Sequence, residues 1–418
     1  MMRNLYRNGA AAFGALAFWS AAVHAAATSG YLPDDAAVRQ AVTGAPDVMA
    51  AEARRDATLA RAVGIRAGTA ETVVRAVSQG RSVREPSERY AEGQIAVERP
   101  LRLWGKADAD ARLADATAEA GRLMVMDARH ESTRQILTLW FTVMRTRQAR
   151  IAAEENAAAA SELVAMTTRR IQMGDAARLD GELAAADHAR ARAAVATAGA
   201  AEQAAVAELR GRYPMLGEPD SLAEAAPPSP LADPPETLRR LYIEDSHEYR
   251  LALAQEAQSL RQATRVDLER KPDPTVGMFV TIERGGAERI LGVSVAMPLG
   301  GTHRAAAATA AAADAEAAAR TRMAVERKLG AEFDMQYRNL IGRRASAQAQ
   351  AEAARLQRTA SARATRAYRA GESGLAELLA VRRGLAEALL AEQLARVEAL
   401  EADSRLRLDL HRLWDFDD

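Results

Sequence analysis

The sequence predicts a mainly α-helical protein with a few β-strands, built twice over from one long-helix hairpin and one strand pair. Three observations carry that reading. Residues 101–213 and 299–418 contain no proline and are rich in alanine, leucine, glutamate and arginine; such stretches favour uninterrupted helix, because proline removes a backbone donor and clashes inside one. Each stretch is punctuated once, by RRIQMGDAARLD (169–180) and by RAYRAGESGLAE (366–377). Ahead of the second stretch, KPDPTVGMFVTIERGGAERILGVSVAMPLGG alternates apolar with small or polar residues, the period of a half-buried strand.

Glycine followed by an acidic residue, as at Gly174-Asp175 and Gly371-Glu372, suits a helix that stops at a left-handed cap and a second helix with an acidic start. The first helices are expected over about 103–172 and 302–369, each roughly 100 Å long at 1.5 Å per residue. The returning helices are expected over about 175–212 and 373–413. In the last of these, Leu375, Leu378, Leu385, Leu389 and Leu400 are spaced by sums of threes and fours, which marks one packed face.

The offset that carries Gly174 onto Gly371 also carries Arg169 onto Arg366, Asp175 onto Glu372 and Leu209 onto Leu406. A nearly identical offset carries Pro100 onto Pro298, and Ile95 and Val97 onto Val293 and Val295. Agreement at such distant landmarks implies a tandem duplication. The units are expected over 28–213 and 236–418, joined by a proline-rich linker over 214–235.

In the second unit the strands are expected over about 274–283 and 288–298, turning at Gly285-Gly286. One face carries Val276, Met278, Val280, Ile282, Leu291, Val293, Val295 and Met297, the alternation of a lipid-facing barrel wall. In the first unit Glu71 to Ser78 and Gln94 to Leu101 are the expected strands, joined by QGRSVREPSERYAEG and interrupted by Arg75 and Arg99. Periodicity alone does not reject the alternative of a soluble hairpin capping a helical bundle. If the strands insert, four cannot close a barrel, and three copies would supply twelve.

Arg3 and Arg7 precede an apolar run from Ala10 to Val23 and then small residues, the order of a secretory signal. It is expected over 1–27, with Val23-His24-Ala25 or Ala25-Ala26-Ala27 as the cut. No other segment has the length and apolarity of a transmembrane helix. The absence of cysteine excludes disulfides, thiolate metal sites and a cysteine-linked lipid anchor. Basic and acidic residues number 56 each, which argues against nucleic acid or an anionic lipid surface as the main partner. His24, His130, His188, His247, His303 and His411 are scattered without ligand spacing, so none is assigned to metal. The chain has no HExxH, P-loop or Gly-x-Ser-x-Gly pattern and is expected to be a non-enzyme without a cofactor.

Taken together, the Gly174 and Gly371 turns, the two strand pairs, Pro100 and Pro298 at each second strand's end, and the long helix after each resemble the TolC family of outer-membrane efflux proteins over essentially the whole mature chain. Residues 271–300, with the ERGG turn Glu283 to Gly286, are similar to the CzcC-like branch, which serves heavy-metal pumps of the resistance-nodulation-division type. The resemblance implies a homotrimer: a twelve-stranded β-barrel in outer-membrane lipid, continued by a periplasmic α-helical tunnel. Such a passive exit duct docks onto a periplasmic adaptor (membrane fusion protein) and an inner-membrane pump. Many members carry a lipid-modified N-terminal cysteine, which this chain lacks.

Because the strands sit at one end of each long helix and the glycine turns at the other, the turns should form the tunnel's inner tip. Arg169, Arg170, Gly174, Asp175, Arg366, Arg369, Gly371 and Glu372 are therefore the candidate gating and adaptor-contact residues, through charge pairing between helices or through simple capping. A different class, a periplasmic adaptor or structural coiled coil, should instead show one helical hairpin flanked by compact β-rich domains.

Overall fold

A helix of alanine and charged residues has little apolar surface, and in water it depends on neighbours along its whole length. The computed structural model describes residues 30–219 and 231–416. Its two longest helices, α3 (Lys106–Met173) and α7 (Thr302–Ala370), are covered in this way. The signal segment expected over 1–27 lies outside the described residues, as does 220–230 within the linker.

Six elements occur in the same order twice. The first set is α1 (Asp35–Thr43), α2 (Pro46–Ala67), β1 (Val73–Val83), β2 (Glu88–Pro100), α3 and α4 (Arg178–Arg212). The second is α5 (Pro235–Glu244), α6 (His247–Leu268), β3 (Thr275–Glu283), β4 (Glu288–Ala296), α7 and α8 (Leu375–Asp409). The sequence reading assigned nothing to 35–67 or 235–268, and both regions are helical pairs. Pro46 and Pro235 stand at the first turns of α2 and α5, where a missing N–H costs nothing.

These additional helices complete the cover of the long ones. Toward the strand end of α3, α2 runs antiparallel to it, with Arg66 paired to Asp115 and Glu52 to Arg129. Toward the far end α4 takes over, with Glu202 gripped by Arg147 and Arg150. The second unit repeats the arrangement: α6 lies along α7 through Glu256 with Arg322 and Glu248 with Lys328, and α8 follows through Glu398 with Arg343 and Glu392 with Arg358.

Apolar packing is concentrated in three places. At mid-length, Ile136, Leu137, Phe141, Val143 and Met144 of α3 meet Val38 and Val42 of α1, Leu209 of α4 and Val397 and Leu400 of α8. Nearby, Leu238 and Tyr242 of α5 pack on Leu329 and Phe333 of α7 and Leu406 of α8. A smaller cluster of Leu163, Ala184, Tyr368, Leu375, Leu378 and Leu379 closes the glycine-turn end. Leu375, Leu378 and Leu400 of the α8 stripe are buried, while Leu385 and Leu389 are half-buried.

All four strands form one antiparallel sheet in the order β1-β2-β3-β4. The first hairpin differs from the sequence expectation. Its ladder does not stop at Ser78 and Gln94 but continues to Val83 opposite Glu88, so most of the supposed connection is strand. Those added residues are mostly polar or small, which hid them from an apolar-alternation reading; their backbones pair regardless, and Glu92 accepts from Gln79 at 3.0 Å and Arg81 at 3.3 Å. In the second hairpin β4 ends at Ala296, and Met297 lies just past it.

Where strands meet helices, the two units are locked by charge. Lys106, fully buried at the first turn of α3, donates from Nζ to the Lys271 carbonyl at 2.8 Å, Asp273 Oδ2 at 2.8 Å and Glu269 Oε2 at 3.2 Å. Beside it Asp110 pairs with Arg102 and Arg265. A buried ammonium is tolerable only with such complete pairing.

Candidate functional site

The sheet's two faces differ in kind. Register places Val74, Val97, Met278 and Val293 in one row across all four strands, and Ala76, Ile95, Val280 and Leu291 in the next. This face is largely exposed: Leu291 and Val293 of these rows, and Val295 of the adjoining one, are each more than 70% accessible. On the opposite face Arg75 reaches Glu98 at 3.3 Å, and Gln94 lies opposite Thr281. Of the two arginines that interrupted the pattern, Arg75 is on this polar face. Arg99 is on the apolar face but in its row nearest the helices, beside Val276, where a long side chain can carry its charge beyond an apolar zone.

Glycines keep the polar face thin. A Cβ on Gly292 would stand 2.3 Å from the Phe279 ring, and one on Gly277 would stand 2.6 Å from Ser294 Oγ. At the turn, Gly285 and Gly286 have φ of 63° and 99°, which a β-carbon would resist. Among the described residues, the outer edges of β1 and β4 have no strand partner. An exposed apolar face with two open edges suits lipid only if the edges pair with further copies, since unpaired backbone groups there cost several kcal/mol each.

At the opposite end the two helical turns are built identically. Gly174 and Gly371 adopt φ of 84° and 78°, and the next residue's N–H reaches back five positions: Asp175 to the Arg170 carbonyl at 2.8 Å, and Glu372 to the Ala367 carbonyl at 2.9 Å. This is the Schellman closure, which satisfies carbonyls left open at a helix end. Arg170 links the two turns. Its guanidinium donates to the Tyr368 carbonyl at 3.1 Å, lies 4.7 Å from the Tyr368 ring centre, and donates to its own turn at the Asp175 carbonyl. Arg169, Asp175, Arg366, Arg369 and Glu372 are exposed, and among the described residues none of them forms an ion pair within the chain. Asp187 of α4 and Arg383 of α8, a little further up, do pair, at 3.0 Å.

The third constellation was not visible in the sequence. Asp409, the buried last residue of α8, accepts from Arg134 Nε at 2.8 Å, Gln336 Nε2 at 2.9 Å, Arg405 Nε at 3.1 Å and the Tyr242 hydroxyl at 3.2 Å, with His130 Nε2 at 3.3 Å. Burial opposes its charge, but the His130 hydrogen bond and the Arg134 and Arg405 guanidiniums hold the carboxyl well below the usual carboxylate range. One side of this hub is a group of three histidines that the sequence left scattered. His130 of α3, His247 at the start of α6 and His411 after α8 each bring a ring nitrogen within 4.8 Å of the others. Burial lowers the His130 pKa against the pull of Asp409. Burial, aided by His411, His130 and Arg250, pushes His247 down to about 3. No spacing rule finds such a group, because its members come from three elements more than a hundred residues apart.

The fold is the one seen in several solved outer-membrane channels. Among solved structures, the outer-membrane channel OprN superposes with a TM-score of 0.76 at 20% identity, covering 91% of this chain and 90% of that one. The Campylobacter jejuni outer-membrane channel CmeC gives 0.73 at 12% identity, covering 92% and 87%. CusC, described in terms of folding and transmembrane channel formation, gives 0.68 at 14% identity, covering 88% and 91%. No protein-family model matches the chain, and no curated protein matches its sequence.

The lowered pKa values of His130 and His247 make stability depend on pH. An unfolded histidine takes up a proton near pH 6.5, whereas folded His247 resists protonation down to about 3, so acidification favours the unfolded chain. In metal-free buffer, lowering the pH from 7 to 5 should cost on the order of 2 kcal/mol in a denaturant titration, and His247→Gln should flatten that slope.

Proposed function

We propose that the protein is the outer-membrane exit duct of a tripartite efflux pump. The observation that carries this reading is a four-stranded sheet with a continuous apolar face and two open edges, mounted on helical hairpins about 100 Å long. Three protomers close that sheet into a twelve-stranded barrel, β4 of one beside β1 of the next, with the apolar rows toward lipid and the polar face toward the lumen. The helices continue the passage into the periplasm. The turns around Gly174 and Gly371 form the tip that meets a periplasmic adaptor and, through it, an inner-membrane pump of the resistance-nodulation-division type. The duct performs no chemistry of its own; the pump supplies energy. An adaptor would carry one hairpin between compact β-rich domains, a plan that does not fit a chain with two hairpins and one open sheet.

The expressed protein should fractionate with the Sarkosyl-resistant outer membrane as a heat-modifiable trimer. Val293→Arg should abolish insertion, since an arginine on the lipid face costs about 2–4 kcal/mol at the midplane. Recovery of a soluble periplasmic monomer from the unaltered chain would defeat the reading.

At the tip, the exposed carboxylates of Asp175 and Glu372 form no ion pair within the protomer among the described residues; we assign them arginines of neighbouring helices in the assembled tunnel as partners, a pairing that holds the tip narrow. The double variant Asp175→Ala, Glu372→Ala should raise single-channel conductance in planar bilayers. Intact trimers of unchanged conductance would sink the idea.

Heavy-metal cations are the substrate class we assign, on the likeness of residues 271–300 to the CzcC-like branch. A deletion strain should become sensitive to zinc, cobalt, cadmium, nickel or copper. Sensitivity confined to hydrophobic drugs would reject that assignment while leaving the duct itself standing.

A further inference from the structure

We infer that His130, His247 and His411 form a binding site for one borderline divalent cation of the first transition row, zinc foremost, within each protomer. This goes beyond the duct reading: it concerns a resident ion in the helical body and requires neither export nor a pump.

The geometry supports it in several independent ways. The rings cluster face and edge: His130 and His411 stack with centres 5.2 Å apart, and His247 meets His411 edge-on at 4.7 Å and His130 at 5.5 Å. They line a small, partly open cavity of about 10 Å³ with Met126, Thr133 and Trp414, room for a single water or ion. Nitrogens around a tetrahedral zinc stand roughly 3.3 Å apart, given bonds of about 2.0–2.1 Å. Closing from 4.8 Å therefore needs ring rotations. His411 lies just past α8 at a φ of 55°, its N–H held to the Leu408 carbonyl at 3.0 Å, so the closing movement falls to rotation of the imidazole about its side-chain bonds.

One of the three rings already has the hydrogen-bonded outer partner that metal-bound histidines use, and a second has a carboxylate close to the same position. Asp409 meets His130 at Nε2, which places the proton there and leaves the Nδ1 lone pair for an ion. Asp415 lies 3.7 Å from His411 Nδ1, which leaves Nε2 as the ligand atom. That same Nε2 is buried with no hydrogen-bond partner, an arrangement that costs about 1–3 kcal/mol unless something fills it.

The surrounding charge does not oppose a cation. Each nearby guanidinium has its own carboxylate: Arg129 has Glu52, Arg134 has Asp409 and Arg250 has Asp245. Three neutral imidazoles without thiolates select zinc, copper(II), nickel or cobalt over the oxygen-seeking calcium and magnesium. A fourth position is left for water.

The consequence is structural. His130 belongs to the first unit, and His247 and His411 to the second, so one ion would join the start of α6 and the chain end to the middle of α3. The site would staple the duplicated halves at the level where the mid-length cores meet.

The test uses untagged, full-length protein in detergent, stripped with a chelator and titrated with zinc or cobalt alone. One zinc per protomer should bind at micromolar or tighter Kd, and Tm should rise with zinc concentration. Cobalt should give the visible ligand-field bands of a nitrogen-ligated site, and zinc absorption-edge spectroscopy should show about three imidazoles. His411→Gln and His247→Gln should each weaken binding at least tenfold, while His303→Gln, an exposed histidine remote from the cluster, should not. If those variants fail to fold, the spectra of the unaltered protein still decide. No stoichiometric binding, a Tm indifferent to zinc, an oxygen-dominated shell, or binding that survives both cluster substitutions would each overturn the site.

Discussion

The structure depends on one constraint: a helix of nearly seventy residues, poor in large apolar side chains, must be covered from end to end. Neither returning helix is long enough. α4 and α8 are 35 residues each against 68 and 69 for α3 and α7, so the remaining length falls to α2 and α6. This division explains why the chain enters each strand pair from a helix rather than from a loop. It also explains why the densest packing sits at mid-length, where one covering helix gives way to the next. There Phe141, Leu209 and Val397 are fully buried, and the polar hub of Asp409 ties α3, α5, α7 and α8 together.

Charge performs at the junctions what apolar contact performs along the shafts. Lys106 with Asp273 and Glu269 joins the units at the sheet, Asp409 joins them at mid-length, and Arg170 against Tyr368 joins them at the tip. All three are at least partly shielded from water, and each connects segments distant in the chain. Removing one partner would leave a buried charge uncompensated, which costs far more than the pair itself contributes. Alanine-rich shafts, by contrast, could slide over one another at small cost, so these polar clasps set their register.

The sheet poses the opposite problem. Among the described residues its strand pairing runs from β1 to β4 and stops there, and its exposed rows of valine, leucine and methionine have no cover. The helical body is self-sufficient as a protomer; the sheet is not. Any cover for these edges and rows must come from outside the described residues, whereas the long helices are covered by their neighbours in the chain.

Much of the architecture followed from local chemistry alone. Proline placement marked the two long helices, and glycine before an acidic residue marked the turns at 174 and 371, because backbone conformation depends on the residue that adopts it. Alternation at Val276 to Ile282 and Leu291 to Val295 located the apolar face because side chains of a strand alternate by necessity. Polar strand residues such as Gln79, Arg81 and Glu92 escaped notice, since backbone pairing leaves no apolar signature. The short helices before each strand pair passed unassigned, although their role is to cover partners far along the chain. The histidines show the limit most plainly: at positions 130, 247 and 411 they have no relation in sequence, and only the packing of α3, α6 and the end of α8 makes them neighbours. Sequence determined what each segment could be, through period and backbone preference; tertiary structure decided which segments meet, because contacts between distant residues are a property of the packed whole.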